Sequence, residues 1–168
     1  ADLPWPQRVL SVFLRIAFVA LLALGMSRLA RTATTQKVAT VYVVDVSDSV
    51  PDEALGDARE VVAKARDELP EDGALRLITF AKRPRVVDLE AAEAEGNPEI
   101  PIDRHRNAAG ETADLGAGTN LQAALQLAYG LFPPGYLKRV VILSDGVQTD
   151  GDLLSEVNRA ADFGVRVF

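Results

Sequence analysis

The sequence contains no cysteine, and only one histidine and one methionine among its 168 residues. Without cysteine the chain can form no disulfide, no thiolate metal site and no cysteine nucleophile. The single histidine, His105, excludes a metal site built from several histidines. Any metal-dependent chemistry must therefore use oxygen ligands, with carboxylates among them.

The chain also has fewer basic than acidic residues. The chain has 18 Lys and Arg against 24 Asp and Glu, a net charge of −6. Residues 1–37 carry five basic side chains and one acidic one, which leaves a net charge of −10 for residues 38–168. An acidic surface repels phosphate backbones, so we expect no nucleic-acid partner. Apolar residues make up 48% of the chain, which predicts a folded core rather than disorder.

The sequence has one long apolar run, near its beginning. Residues 9–26 are interrupted only by Ser11 and Arg15. A helix of that length just crosses a hydrocarbon core of about 30 Å. We therefore predict a transmembrane helix over residues 9–30. A cleavable signal peptide fits less well, because no small-x-small cleavage site follows the run directly, and a buried core helix is a third interpretation.

This prediction divides the rest of the chain. Residues 1–8 form a juxtamembrane segment, residues 31–37 a polar linker, and residues 38–168 one folded domain. The domain is expected to be incomplete, and the chain a fragment of a longer protein, because the sequence stops within a predicted strand. Basic residues flank the apolar run on both sides, so the positive-inside rule does not decide which side of the membrane holds the domain.

From residue 38 onwards, short apolar runs alternate with amphipathic helical patterns. Strands are predicted at Val38–Val46, Ala74–Phe80, Arg85–Leu89, Val140–Leu143 and Val165–Phe168. Helices are predicted after the first strand, from a Thr119 cap onwards, and over residues 152–163. This alternation predicts an α/β fold in which helices flank a mostly parallel sheet. The first strand should be central, and Pro84 marks the third as an edge strand.

A long segment between the third and fourth strands is predicted to lie on the surface. Residues 90–117 contain many charged residues together with glycine and proline. Within this segment His105 stands between Arg104 and Arg106, and we interpret it as a solvated residue rather than a catalyst, because no serine motif accompanies it.

Polar side chains cluster where two buried strands end and where the second helix of the predicted domain begins. These side chains are Asp45, Ser47, Ser49, Thr119 and Asp145. Ligands of open α/β sheets bind beyond the carboxyl ends of the strands, so we expect the cluster to face one point. Two carboxylates and three hydroxyls are hard oxygen donors, which suit Mg²⁺ or Mn²⁺. Such a shell leaves the cation incompletely neutralised and open to a further carboxylate.

Three motifs resemble the von Willebrand factor type A domain. They are Asp-x-Ser-x-Ser at 45–49, Gly-Thr-Asn-Leu-x-x-Ala-Leu at 118–125 and Ser-Asp-Gly at 144–146. The resemblance covers about residues 38–168. It implies a Rossmann-like sheet with a short antiparallel edge strand. The apolar helix before the domain resembles the membrane-anchored bacterial branch of the family, which implies a place in the bacterial inner membrane.

The resemblance also implies a metal-ion-dependent adhesion site (MIDAS) that holds Mg²⁺ or Mn²⁺. In that site Ser47, Ser49 and Thr119 are hydroxyl ligands, and Asp45 and Asp145 bind directly or through water. A protein partner completes the coordination sphere with the carboxylate of an Asp or Glu. A domain of this kind binds a partner and has no catalytic activity of its own.

Simpler interpretations exist for each residue. Ser47 and Ser49 could cap a helix, and Asp145 could serve a turn. An aspartyl phosphotransferase of the haloacid-dehalogenase type would use Asp45 as nucleophile, but it needs an acid at the position that Ser47 occupies. It also needs a lysine near a later strand end, whereas Lys138 stands at a strand start. A purely structural sheet domain with an empty site is the remaining alternative.

Overall fold

The computed structural model describes residues 5–26, 37–89, 91, 99–106 and 115–168. The chain divides into two compact units, Ala1–Thr35 and Gln36–Phe168. The first unit contains helix α1 (Trp5–Met26), in which Pro6 fits the first turn because the amide it lacks would have no helical partner there. Within the described residues, no helix combines the length and the apolar character that crossing a membrane requires. Much of the linker predicted over 31–37 lies outside the described residues, as does the end of the span predicted over 9–30.

The described part of the second unit contains one sheet of five strands, in the order β3-β2-β1-β4-β5. The strands are β1 (Val38–Asp45), β2 (Ala74–Phe80), β3 (Pro84–Val87), β4 (Leu137–Leu143) and β5 (Val165–Val167). Strand β1 pairs in parallel with both β2 and β4, and β5 pairs in parallel with β4. The predicted mostly parallel α/β sheet with β1 at its centre is therefore confirmed.

Strand β3 is the antiparallel edge of this sheet. It begins at Pro84, which cannot donate a ladder hydrogen bond and is therefore tolerated where only one side of a strand is paired. The edge position predicted from Pro84 is confirmed.

Helices cover the two faces of the sheet: α2 (Asp52–Asp67) on one, and α3 (Leu121–Tyr129) with α4 (Leu153–Asp162) on the other. Successive strand residues point to opposite faces, so Val43 packs into the core beneath α3 and α4, while Val44 packs into the core beneath α2. Each fully buried apolar side chain contributes roughly 1.5 to 3 kcal/mol, so both faces stabilise the same central strand.

The helix starts differ from the sequence prediction. Helix α2 has Pro51 at its N-cap position and no side-chain cap, so Ser49 does not cap it. Helix α3 is capped by Asn120, whose side-chain oxygen accepts a hydrogen bond of 2.9 Å from the amide of Ala123. The prediction that Thr119 caps this helix was wrong by one residue. The hydroxyls of Ser49 and Thr119 therefore do not cap these two helices.

The surface prediction for residues 90–117 was wrong for part of this segment. Within its described residues, Ile100 and Ile102 are buried in the core beneath α2. His105 is only 5% exposed, and its Nε2 lies 2.9 Å from the Thr79 hydroxyl. The predicted solvated His105 is thus a buried one. The two isoleucines draw the chain onto the sheet, although the charged residues beside them suggested a solvated loop.

Candidate metal centre

The polypeptide folds into a tight turn directly after β1. Asp45, its last residue, is 1% exposed, and its Oδ1 accepts a hydrogen bond of 2.9 Å from the Ser47 amide. A carboxylate that binds the amide two residues onward forms an Asx turn, which ends the strand and begins the loop. The hydroxyls of Ser47 and Ser49 lie 3.0 Å apart, Oγ to Oγ. The alternation of residues 45, 47 and 49 thus brings three oxygen-bearing side chains to one turn.

The backbone of this turn is held from two directions. The amide of Val50 donates to the carbonyl of Ser47 at 3.1 Å, which closes the turn on itself. The amide of Asp48 donates to the carbonyl of Gly116 at 3.1 Å, which connects the turn to the segment before α3. Asp48 is exposed, as is the predicted ligand Ser49.

Ser144 joins the end of β4 to the end of β1. Its hydroxyl donates a hydrogen bond of 2.9 Å to Oδ2 of Asp45 and accepts one of 3.1 Å from the amide of Gly146. Ser144 belongs to the Ser-Asp-Gly motif at 144–146 but is not one of the predicted ligands. Because β1 and β4 are parallel neighbours, a polar residue just after β4 reaches the carboxylate that ends β1. The signal that could have identified it was this strand order.

Asp145 follows Ser144 and serves a turn of its own. Its Oδ1 accepts a hydrogen bond of 2.9 Å from the amide of Val147, so the turn interpretation holds for this oxygen. Asp145 and Asp45 both line a cavity of about 320 Å³ at the carboxyl end of the sheet, together with Ser144. The two predicted acidic ligands therefore border the same space.

Thr119 is 3% exposed, and its backbone is fixed by the loop that follows β4. Its amide donates to the Thr149 hydroxyl at 2.8 Å, and its carbonyl accepts from the amides of Thr149 and Asp150, each at 3.2 Å. Gly118 permits this approach: its φ is 141°, and a Cβ there would lie 3.3 Å from the Thr149 hydroxyl. Thr119 and Ser144 line a second cavity, of about 380 Å³.

Ser144 is the common element of this arrangement. It binds Asp45, it borders one cavity with Asp145 and it borders the other with Thr119. The described residues contain no group of three or more His, Cys, Asp or Glu side chains that could hold a metal ion. Hydroxyls must therefore supply part of any ligand set at this place, and hydroxyl and carboxylate oxygens fit a hard divalent cation.

Comparison with solved structures gives similar folds. An aerotolerance-related membrane protein from Bacteroides fragilis has 19% identity and a TM-score of 0.59, with 77% of this chain and 65% of that one covered. The conserved hypothetical protein BatB from Bacteroides thetaiotaomicron has 20% identity and a TM-score of 0.58, with 77% and 64% covered. The chain thus spans just under two thirds of the length of these two proteins.

A third similar structure is proximal thread matrix protein 1 from the mussel byssus, solved with a zinc-occupied MIDAS motif. It has 14% identity and a TM-score of 0.57, with 79% of this chain and 37% of that one covered. At such identities the likeness shows a shared fold.

Among curated proteins, none matches the chain. The von Willebrand factor type A domain family matches residues 40–148, which is more than half of the sequence. The match includes all five predicted ligand positions, and the sheet order and flanking helices agree with it. The chain therefore belongs to the von Willebrand factor type A domain family.

Proposed function

We propose that this domain binds Mg²⁺ or Mn²⁺ and, through the ion, a carboxylate of a protein partner. The observation that carries the proposal is the pair of hydroxyls of Ser47 and Ser49, which lie 3.0 Å apart beside the buried Asp45. Two hydroxyls at this separation next to a carboxylate offer a cation three hard oxygens from one turn. Neither serine caps α2, which removes the simplest competing explanation for Ser49.

In the proposed site, Ser47, Ser49 and Thr119 contribute hydroxyl oxygens, while Asp45 and Asp145 contribute charge directly or through water. The formal charges of the two carboxylates equal that of a divalent ion, but their neutralisation of the ion would be incomplete. Each carboxylate also accepts hydrogen bonds from the protein, which draw part of its negative charge. A bound cation would supply the positive charge that attracts an Asp or Glu from the partner. The mussel protein with its zinc-occupied MIDAS motif supports divalent binding on this fold, and the hard donor set here favours Mg²⁺ or Mn²⁺.

The proposed activity is binding without catalysis. The phosphotransferase alternative needs a lysine beside Asp45, at the carboxyl end of the sheet. Lys138 stands at the amino end of β4, where its Nζ donates to the carbonyl of Phe163 at 3.2 Å, whereas Lys82 follows β2 at the carboxyl end. The lysine requirement therefore does not decide against this alternative, and the missing acid does. Ser47 holds the place of the required acid, and its amide is engaged by Asp45.

Selection from a random peptide library tests the partner chemistry. With the domain immobilised in Mn²⁺, we expect the retained peptides to share an Asp or Glu and to elute with EDTA. Changing that residue to Asn or Gln should weaken binding by at least about tenfold, or about 1.4 kcal/mol, because the amide loses the charge that the cation attracts. Peptides that stay bound in EDTA, or that lack a common acidic residue, would contradict the proposal.

We also propose that residues 9–30 attach the domain to the bacterial inner membrane. The support is the apolar run in the sequence and the description of the Bacteroides fragilis structure as a membrane protein. In a bacterial host, the chain is expected to sediment with membranes and to resist extraction by alkaline carbonate. The matched control lacks residues 1–36 and should remain in the supernatant. Release of the whole chain by carbonate would rule out a spanning helix.

A further inference from the structure

Arg104, which is not one of the predicted site residues, hydrogen-bonds to the turn that carries Ser47 and Ser49. The guanidinium of Arg104 donates through Nη1 to the carbonyl of Ser47 and through Nη2 to the carbonyl of Val50, each at 2.6 Å. Its Nη2 also lies 2.8 Å from Oδ1 of Asp52, in the first turn of α2. The two carbonyls flank Ser49, so one rigid side chain spans the part of the turn that presents the hydroxyls.

The segment that carries this arginine is itself anchored. We call residues 99–106 the strap. Ile100 and Ile102 fix it in the core beneath α2, and His105 fixes its end to Thr79. Arg59 of α2 donates to the carbonyl of Ile102 at 2.5 Å and lies 3.3 Å from Oδ1 of Asp103. These contacts fix the backbone on both sides of Arg104, so its guanidinium is held against residues 47–50.

We propose that Arg104 is a positioning residue for the metal site: it holds residues 45–50 in the shape that aims the hydroxyls of Ser47 and Ser49 at the ion. The inference rests on the proposed metal binding. A guanidinium is a planar fork with several fixed donors, so it can hold two carbonyls at a set separation. Groups that orient metal ligands without touching the metal typically account for about 10- to 100-fold in metal affinity.

The charge of Arg104 does not argue against this role. Its side chain is 23% exposed and is paired with Asp52, whose side chain is 90% exposed. The guanidinium is directed at backbone carbonyls of the turn rather than at the carboxylate of Asp45, whose oxygens accept from Ser47 and Ser144. Arg104 can therefore fix the turn while Asp45 keeps its negative charge for the cation.

The first measurement needs no metal. In Arg104→Met, hydrogen exchange in the metal-free chain should become at least about tenfold faster at the amides of Asp48 and Val50. The reason is that the turn loses its two hydrogen bonds from the guanidinium and opens more often. Both amides are hydrogen-bonded in the structure, so their exchange reports opening of the turn. The matched control is Lys138→Met, which removes a cationic donor to a backbone carbonyl at the amino end of β4, away from the turn, and should leave these two amides unchanged.

The second measurement is the Mn²⁺ dissociation constant, determined by titration calorimetry well below the melting temperature of each variant. We expect Arg104→Met to raise it by roughly 10- to 100-fold. Arg104→Lys keeps the charge but lacks the fork, so its value should lie between those of Arg104→Met and the wild type. Lys138→Met should leave the dissociation constant unchanged, because Lys138 lies at the opposite end of β4 from the proposed site.

The outcomes separate the two proposals. If the wild type binds no Mn²⁺, the proposed function fails, and the exchange measurement alone decides whether Arg104 holds the turn. If the wild type binds Mn²⁺ and Arg104→Met binds it equally well, the positioning role is overturned while the metal site stands. Equal effects of Arg104→Met and Lys138→Met on both measurements would also overturn it, because they would show an effect that does not depend on contact with the turn.

Discussion

Replacing Asp45 by asparagine is expected to raise the Mn²⁺ dissociation constant by more than roughly 100-fold, since losing a group that merely orients a ligand already costs about 10- to 100-fold. The residue is 1% exposed and ends the central strand. Asparagine has the same shape, and its oxygen can still accept from the amide of Ser47. The hydroxyl of Ser144 can turn to accept from the new amide group. The fold is therefore retained while the negative charge is lost.

The measurement is titration of metal-free protein with MnCl₂, followed by thermal or urea unfolding with and without the ion. A ligand at 100 times its dissociation constant stabilises the folded state by about 2.7 kcal/mol. We expect this stabilisation in the wild type and at most about 0.4 kcal/mol in Asp45→Asn at the same Mn²⁺ concentration. The unfolding free energies of the two metal-free proteins should be similar, which separates loss of binding from loss of fold.

Two controls make the result specific. Asp48→Asn removes an exposed carboxylate from the same turn at nearly constant shape and should leave Mn²⁺ affinity unchanged, because Asp48 is not one of the proposed ligands. Thr119→Val removes a hydroxyl at constant shape and should weaken binding, whereas Thr119→Ser should preserve it. An equal loss of affinity in Asp48→Asn and Asp45→Asn would mean that general acidity, and not a defined site, attracts the ion.

The fold was predictable because its main signals are local. Val38–Val46 is almost wholly apolar, as a strand covered on both faces must be, and the structure has β1 there at the centre of the sheet. Pro84 predicted the edge strand for an equally local reason. The helix caps were less certain, because Thr119 and Asn120 are both good cap residues and adjacent. Which one caps depends on the contacts of Thr119 with the loop near Thr149.

That Asp45 and Asp145 border one cavity was predictable, because parallel strands deliver their ends to one edge of the sheet. The roles of the supporting residues Ser144 and Arg104 were not predictable, since these roles depend on contacts between distant parts of the chain. Ser144 acts on a residue 99 positions away, and Arg104 on one 57 positions away. His105 was misjudged for the same reason: its charged neighbours are visible in the sequence, but the burial imposed by Ile102 is not.

The burial of His105 leads to a second large effect: acidification from pH 7 to pH 4 is expected to destabilise the domain by about 2 to 3 kcal/mol through this residue alone. Burial, and to a lesser extent the positive charge of Arg85, lowers the pKa of His105 from 6.5 to about 4. The unfolded chain keeps the ordinary pKa, so between these values it binds a proton that the folded chain does not. Stability is therefore lost as the pH falls through this window and is unaffected above it.

Two measurements check this expectation. His105 is the only histidine, so the proton resonance of its ring can be assigned without ambiguity, and its titration midpoint should lie near pH 4. His105→Gln keeps a group that can bind the Thr79 hydroxyl but does not titrate. Between pH 6.5 and 4, the urea unfolding free energy of His105→Gln should decline less than that of the wild type. The carboxylates titrate in both proteins, so the difference between the two declines is due to the histidine. A midpoint near 6.5, or equal declines, would mean that the ring is solvated, and a solvated ring could not fix the end of the strap against β2.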